Sequence, residues 1–253
     1  MRVQIPIDSI VYTIDLSDSL DISIPVREAG ITAWYVSPAK ITPVRDGDWV
    51  GAVDKGAPVN FRSVNFNPHS HGTHTETFGH ISIENASVHE VSMPLFQEAE
   101  VITIEPRSLN EDQVIGPEQI QLKKKFKTPV LCIRTLPNTE GKKSKNHSNT
   151  NWPYLTKDAM LYIREQNVIH LGIDTPSVDK EKDGGRLLAH KAFWNYPNAI
   201  RENATITELL YIENSIPDGK YLISLQIAPI ENDAAPSRPL LYRIQEEKSV
   251  TKT

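Results

Sequence analysis

Residues 69 to 80 read HSHGTHTETFGH and hold four of the eight histidines in this 253-residue chain. Protonated imidazoles repel one another at this spacing, and a buried neutral imidazole needs a polar partner for each ring nitrogen. A metal ion meets both requirements, because it binds neutral imidazoles and holds them together. The stretch therefore predicts a metal site, and the fold must bring the remaining ligands to it.

An extended backbone would place alternate side chains of this stretch on one face. The even-numbered residues Ser70, His74, Glu76 and His80 would share that face, and the odd-numbered histidines would point away from it. Two imidazoles and a carboxylate form a mixed nitrogen and oxygen ligand set that zinc and manganese accept. A catalytic ion needs three or four protein ligands, so further ligands have to come from elsewhere in the chain.

A second candidate pair lies more than a hundred residues further on. His190 falls in LLAHKAFW, which reads as a helix, and Glu202 follows twelve residues later in the β-branched segment AIRENATI. The two side chains converge if the strand packs beneath the helix. Composition alone does not separate these residues from structural ones.

Composition limits the classes of partner. The chain is 39% hydrophobic and 23% charged, with a formal net charge of −5 and a pI of about 5.9, so neither nucleic acid nor an acidic membrane is an expected partner. The N-terminus does not resemble a secretory signal, and no apolar run is long enough to span a membrane. We expect a cytoplasmic protein with a small-molecule substrate, whose single cysteine, Cys132, is an inert buried thiol and not a nucleophile.

The chain reads as strand-rich. Short runs of Val, Ile, Leu and Tyr between turn residues predict strands in SIVYTIDL, HISIENASV, EVITIEP, PVLCIRT, NVIHLGID, KYLISLQIAPI and RPLLYRI. Helices are expected in KDAMLYIREQ, with Thr156 as the cap, and in GGRLLAHKAFW. The fold class is therefore α+β (mixed α/β), with one domain over residues 1–253 and a flexible polar loop at 140–152 that forms either plain surface or a lid.

The histidine stretch resembles the H-x-G-T-H-x-D-x-P-x-H signature of the cyclase family, which includes kynurenine formamidases (arylformamidases), isatin hydrolases and related metal-dependent amidases. Three further segments are similar to family segments in the right order, so the resemblance covers about residues 14 to 242: IDLSDSLDISIPV near the start, LGIDTPSVD at 171–179 and AAPSRPLLY at 234–242. The resemblance implies the family's swivelling β/β/α domain, assembled as a homodimer or homotetramer.

The resemblance also implies roles for individual residues. His74 and Glu76 would be metal ligands, with Glu76 in the place of a bridging aspartate, and His190 and Glu202 would complete a second metal position. His80 would be the general base. One or two Zn²⁺ or Mn²⁺ ions are the implied cofactor, and the implied reaction is hydrolysis of an amide, formamide or cyclic amide C–N bond by an activated water.

Three positions depart from the family signature: Ser70 replaces its first histidine, Glu76 its aspartate and Phe78 its proline. A serine hydroxyl is a far poorer zinc ligand than an imidazole, and glutamate moves the carboxylate further from the backbone by about 1.5 Å, the length of one carbon–carbon bond. Phe78, inside the motif, is also the best candidate for an aromatic contact with substrate.

Four arrangements are compatible with these departures. His69 or His71 replaces the missing imidazole through an irregular backbone, although their parity argues against it. Alternatively, Glu76 binds two ions bidentately with fewer nitrogens, or a single ion lies among His74, Glu76, His190 and Glu202. In the fourth arrangement the metal is absent and the chain is a non-catalytic or binding relative. A lactone hydrolase or cyclase would use the same site on another carbonyl.

Overall fold

The computed structural model describes residues 1–84 and 86–249, and strands account for most of its regular structure. The strands are β1 (Arg2–Ile7), β2 (Ile10–Asp15), β3 (Ser19–Asp21), β4 (Lys40–Pro43), β5 (Arg45–Asp46), β6 (Trp49–Val50), β7 (Arg62–Asn65), β8 (His74–Glu76), β9 (Gln97–Ile104), β10 (Arg107–Leu109), β11 (Asp112–Ile115), β12 (Val130–Thr135), β13 (Tyr154–Leu155), β14 (His170–Ile173), β15 (Thr205–Glu208), β16 (Gly219–Ile227), β17 (Ala234–Arg243) and β18 (Glu246–Ser249). The α-helices are α1 (Pro117–Lys123), α2 (Lys157–Glu165) and α3 (Leu188–Trp194), and short 3-10 helices cover Val53–Lys55, Phe78–Ile81, Val88–Glu90 and Glu140–Ser144.

Seven strands close into a barrel-like sheet in the order β16, β9, β12, β14, β15, β8, β17, because β17 pairs back onto β16. The four strands β9, β12, β14 and β15 run parallel, and every other pairing in this sheet is antiparallel. Parallel strands are buried on both faces, which explains why apolar residues run through PVLCIRT and NVIHLGID without strict alternation with polar ones. The predicted α+β class is confirmed.

Hydrophobic side chains from the two faces of the parallel strands form separate cores. One core joins the strands to the helices and includes Ile102, Leu131, Met160 and Phe193. Another core lies on the opposite face of the strands and includes Val101. Neighbouring residues Val101 and Ile102 enter different cores because successive strand side chains point to opposite faces.

Six of the seven predicted strands are present, as β2, β9, β12, β14, β16 and β17. The prediction for residues 80–88, of which residue 85 lies outside the described residues, is wrong. The first two residues of this stretch end a 3-10 helix at Phe78–Ile81, and its last residue begins another at Val88–Glu90. Thr77 and Ser87 cap these helices by accepting hydrogen bonds from Gly79 N and His89 N, and such capping competes with strand pairing.

Both predicted helices are confirmed. Thr156 accepts a hydrogen bond from Ala159 N at 3.1 Å, so it caps α2 as expected. Helix α3 begins at Leu188 and ends at Trp194, where Asn195 adopts a left-handed conformation with φ of 57°. This helix carries His190 toward the sheet, and its other face lies against α2. No helix within the described residues has the length and apolar character needed to cross a membrane.

The polar segment 140–152 makes specific contacts in the structure, although the sequence suggests a flexible loop. Lys142 Nζ donates a hydrogen bond to Asp174 Oδ2 at 2.7 Å. His147 and Trp152 are buried, and Trp152 Nε1 donates a hydrogen bond to Asp179 O at 3.0 Å. The sequence did not indicate these contacts because the segment has few apolar residues. Its attachment comes from polar side chains, including Lys142 and Asn151, from Trp152 and from the backbone.

Burial of Cys132 in β12 gives a test of the fold. Burial raises the pKa of its thiol to about 12, so about one molecule in ten thousand carries the reactive thiolate at pH 8. We expect no reaction of the folded protein with Ellman's reagent over an hour, and one thiol per chain after unfolding in guanidinium chloride. Rapid reaction of the folded protein would contradict the burial of this strand.

Candidate functional site

The candidate site is built around β8, a three-residue strand whose members are all buried. It lies between β15 and β17, and its register pairs His74 with Glu208 and Glu76 with Ala234. Asp233, which precedes Ala234, accepts a hydrogen bond from Thr77 N at 3.0 Å through its backbone oxygen. The register therefore brings two carboxylates from distant parts of the chain beside β8.

A tight turn precedes β8 and replaces the extended backbone predicted for residues 70–73. Both Ser70 N and His71 N donate hydrogen bonds to Asn67 O, at 3.1 and 3.2 Å. The turn brings His69 into the site, with its Nδ1 3.2 Å from Glu76 Oε2. The expectation that the odd-numbered His69 points away is therefore wrong, because alternation holds only for extended backbone.

Ser70 and His71 face away from the site and are fully engaged elsewhere. Ser70 Oγ donates to Ala33 O at 2.8 Å and accepts from Ala33 N at 3.0 Å, so it ties down the loop around Ala33. His71 accepts from Asn67 N at Nδ1 and donates to Ser37 O at Nε2, at 2.8 and 2.9 Å. Neither residue has an atom free to bind an ion at this site.

Glu76 lies at the centre of the cluster and is fully buried. His190 Nε2 donates a hydrogen bond to its Oε1 at 3.1 Å, and His80 Nε2 lies 3.9 Å from its Oε2. Burial alone would raise the pKa of this carboxyl, but His80, His190 and His69 together hold it well below its usual range. Glu76 is therefore an anion whose charge is balanced by imidazoles.

Asp179 orients His190 at the start of α3. The Asp179 carboxylate accepts hydrogen bonds from Ala189 N, His190 N and His190 Nδ1, at 2.9, 3.1 and 2.6 Å. Burial lowers the pKa of His190, but the hydrogen bonds to Asp179 and Glu76 outweigh it and raise the pKa to about 10. Asp179 closes the segment LGIDTPSVD, so its acidic end was visible in the sequence although its partner was not.

Glu202 does not reach the site, which corrects its assignment as a ligand. It lies exposed in the turn before β15. Glu208, six residues later and buried, lies with its Oε2 3.4 Å from His74 Nε2 and its Oε1 3.8 Å from His190 Nε2. The sequence held a signal for Glu208, because a carboxylate within the apolar run ATITELL has to find buried partners.

Asp233 is a further residue of the site that the sequence did not indicate. Its Oδ2 accepts hydrogen bonds from His69 Nε2 at 2.9 Å and from His80 Nδ1 at 3.1 Å. It stands in the polar turn IENDA between two strands, where acidic residues are common for reasons unrelated to function. Only the pairing of β17 with β8 reveals its position.

His80 lies at the open side of the cluster. It belongs to the 3-10 helix Phe78–Ile81, and its side chain is 32% exposed, whereas those of Glu76 and His190 are almost completely buried. Phe78 is mostly buried in the core, and it lines a cleft of about 400 Å³ together with Glu202. None of the histidines named above lines that cleft.

Two buried atoms show that the site suits a metal ion. His74 Nδ1 donates a hydrogen bond to Gly72 O at 3.1 Å, which leaves the lone pair of Nε2 directed into the cluster. Both His74 Nε2 and Glu76 Oε2 are buried without a hydrogen-bond partner, because neighbouring atoms are close but poorly aligned. Unpaired buried polar atoms are rare in folded proteins and indicate a missing partner such as an ion.

Within the described residues, three groups of side chains have ligand atoms close enough together to hold an ion. They are His69, His74 and Glu76; Glu76, His80 and His190; and His69, His80 and Asp233. Glu76 is shared by two of the groups, as a bridging carboxylate would be. The site thus brings together the predicted residues His74, Glu76, His80 and His190 with His69, one of the candidate substitutes for the missing imidazole. It adds Glu208, Asp179 and Asp233, which were not predicted as site residues.

The chain is similar to known proteins over most of its length. The family model described as "Putative cyclase" matches residues 20–180. The kynurenine formamidase of Bordetella petrii is 25% identical over 228 residues, which is 83% of this chain and 98% of that protein. The kynurenine formamidase of Polaromonas naphthalenivorans is 23% identical over 195 residues, 76% of this chain and 79% of that protein.

Solved structures share the fold. An isatin hydrolase bound to the product analogue thioisatinate superposes with a TM-score of 0.67 at 14% identity, over 90% of this chain and 93% of that chain. A structure described as a "predicted metal-dependent hydrolase" from Bacillus stearothermophilus gives a TM-score of 0.62 at 17% identity, over 89% and 98% of the two chains. With the family match covering well over half of the sequence, the chain belongs to the cyclase family.

Proposed function

We propose that the protein is a metal-dependent hydrolase that cleaves an amide, formamide or cyclic amide C–N bond. The observation that carries this proposal is the pair of buried atoms without hydrogen-bond partners, His74 Nε2 and Glu76 Oε2, with His69 Nδ1 beside them. The names of the relatives, kynurenine formamidase and isatin hydrolase, support the class of reaction.

We assign the first metal position to His69, His74 and Glu76, which supply two imidazoles and one carboxylate. The second position would be formed by Glu76, His190 and Glu208. Zn²⁺ and Mn²⁺ both accept these ligands, and one or two ions are compatible with a shared Glu76. When bound, such an ion acidifies a water molecule and polarises the substrate carbonyl.

His80 is suited to proton transfer. Its Nδ1–H is held by Asp233, which leaves Nε2 free on the open side of the site. His80 Nε2 would accept the proton of the attacking water and return it to the leaving nitrogen, a role that typically contributes 10²- to 10⁴-fold in rate. The pKa of buried Glu76 lies well below its usual range, so this carboxylate is a weak base and does not compete for this role.

Two alternatives remain distinct from this proposal. A lactone hydrolase or cyclase would use the same residues on an ester carbonyl, and only the leaving group differs. A binding protein without catalysis would keep the metal for structural reasons. The partial exposure of His80 favours catalysis, because a structural metal site is normally closed on all sides.

Metal content tests whether Glu208, and not the predicted Glu202, is the carboxylate ligand from this part of the chain. We expect zinc or manganese to be retained by purified wild-type protein and by Glu202→Gln, because Glu202 is outside the site. His69→Ala, His74→Ala and Glu208→Gln should weaken metal binding by about tenfold or more. Elemental mass spectrometry and competition with a chelator measure this. Equal loss in Glu202→Gln and Glu208→Gln would contradict the structure.

Metal binding should become tighter as pH rises. Burial lowers the pKa of His69, but the hydrogen bond to Asp233 and the nearby Glu76 carboxylate outweigh it, so the pKa values of His69 and His190 are both about 10 without metal. Below pH 10 an ion must displace these protons, so the logarithm of the association constant should rise by about one per pH unit for each histidine that loses a proton.

Calorimetric titration with Mn²⁺ at pH 6.5 to 8.5, in buffers of different ionisation enthalpy, measures both the affinity and the protons released. His89→Gln serves as the control because His89 is an exposed histidine outside the cluster, and its slope should equal that of the wild type. An affinity independent of pH would show that the histidines do not exchange protons for metal.

Measuring kcat together with metal content distinguishes the general base His80 from the metal ligands. We expect the wild type to hydrolyse at least one member of a panel of N-formyl aromatic amines, cyclic amides and lactones. His80→Ala should lower kcat by 10²-fold or more while it retains metal, whereas His74→Ala loses both. If His80→Ala loses metal as fully as His74→Ala, His80 is a ligand and not a base. Hydrolysis of lactones alone would favour the second reaction class.

A further inference from the structure

A single carboxylate oxygen connects the two least buried histidines of the cluster. Asp233 Oδ2 accepts one hydrogen bond from His69 Nε2 and another from His80 Nδ1, at 2.9 and 3.1 Å. The two rings lie beside each other, with centroids 4.2 Å apart and an interplanar angle of 31°. Neither of these two nitrogen atoms has another hydrogen-bond partner among the described residues.

The backbone around Asp233 is fixed by the sheet. Thr77 N donates to Asp233 O at 3.0 Å, and the next residue, Ala234, pairs with Glu76. On the other side, Asn232 accepts a hydrogen bond from Val88 N at 2.9 Å through its backbone oxygen. The main chain that carries the Asp233 carboxylate is thus fixed beside β8 and does not belong to a freely moving turn.

Hydrogen bonding to Asp233 Oδ2 favours opposite tautomers in the neutral rings of His69 and His80. A neutral imidazole carries one N–H, and the nitrogen that faces a carboxylate keeps it. Both nitrogens of His69 have a carboxylate neighbour, but only Nε2 is aligned for a hydrogen bond, to Asp233 at 2.9 Å. In the neutral ring, which is the form that binds a metal, the proton therefore stays on Nε2 and the lone pair of Nδ1 points toward Glu76 Oε2, 3.2 Å away. His80 keeps its proton on Nδ1 and leaves the lone pair on Nε2.

We propose that Asp233 is a positioning residue that sets the ring orientations and the opposite tautomers of His69 and His80. It makes His69 a ligand through Nδ1 and leaves His80 with a free Nε2 at the open side of the site. The consequence for His80 as a base rests on the proposed function, whereas the ring orientations do not. Asp233 thereby compensates for the displaced histidine, because a ring entering from position 69 needs its own orienting partner.

Two substitutions at Asp233 and one matched control test this role. Asp233→Ala removes the acceptor, and Asp233→Asn keeps a weaker, uncharged acceptor in the same place. Glu231→Gln removes an exposed carboxylate two residues away, in the same turn. Circular dichroism and thermal unfolding of each variant establish that it is folded before the other measurements.

The first readout is independent of catalysis. Protein labelled with ¹⁵N-histidine is studied by NMR with and without Zn²⁺, and signals are assigned through His69→Gln and His80→Gln. We expect slowly exchanging ring protons on His69 Nε2 and His80 Nδ1 in the wild type and Glu231→Gln, and their loss in Asp233→Ala. Retention of both protons in folded Asp233→Ala, or their absence in the wild type, would overturn the proposal.

The second readout is zinc affinity measured by competition with a chelator. Loss of a partner that orients a ligand typically costs 10- to 100-fold in affinity, so Asp233→Ala should fall in that range, Asp233→Asn between it and the wild type, and Glu231→Gln within twofold of the wild type. Equal affinity in all four proteins would overturn the proposal.

Activity distinguishes this proposal from the proposed function. If the wild type hydrolyses a substrate, Asp233→Ala should lower kcat more than it changes KM and should alter the acidic limb of the pH profile, with partial recovery in Asp233→Asn. An unchanged kcat at saturating metal would overturn the consequence for His80. If no substrate is hydrolysed but the ring protons and zinc affinity behave as expected, the proposed function fails and the role of Asp233 stands.

Discussion

The site depends on the burial of one carboxylate. Glu76 is removed from water on a strand in the middle of the sheet, and an isolated ionised carboxylate in such a place would cost many kcal/mol. Three imidazoles surround it at 3.1 to 3.9 Å and hold its pKa low. Those imidazoles are in turn oriented by Asp179 and Asp233. These imidazoles and the two aspartates together stabilise the buried negative charge of Glu76.

The barrel supplies the geometry that this arrangement needs. Because β8 is only three residues long and pairs on both sides, its register fixes which residues of β15 and β17 stand beside it. One neighbour contributes Glu208, and the other begins immediately after Asp233. Helix α3 then approaches from outside the sheet with His190. Four segments that are far apart in the chain thus meet at one point, and a slip of one residue in either pairing would turn a carboxylate away.

Much of the fold followed from local patterns. Apolar runs revealed three of the four parallel strands, β9, β12 and β14, because those strands are buried on both faces. Thr156 marked the start of α2 through its capping hydroxyl. The failure at residues 80–88 had a local cause, because alternation of apolar and polar residues also occurs in capped turns. The contacts of segment 140–152 depend on distant partners such as Asp174, which no local pattern contains.

The site was partly predictable for similar reasons. His74, Glu76, His80 and His190 were visible as costly polar residues in a recognisable order. Glu208 and Asp233 were missed because strand pairing decides which of several acids is nearby, and pairing is not readable from one segment.

Because of the turn at Asn67, the imidazole beside Glu76 comes from a residue one position before the one that the family signature specifies. The hydroxyl of Ser70 has become an anchor for a loop, while the neighbouring His69 occupies the space beside Glu76. A motif search that requires histidine in the column of Ser70 would classify this chain as having lost its site. Members of the family with this substitution are better sorted by the preceding column and by the presence of an acid immediately before β17.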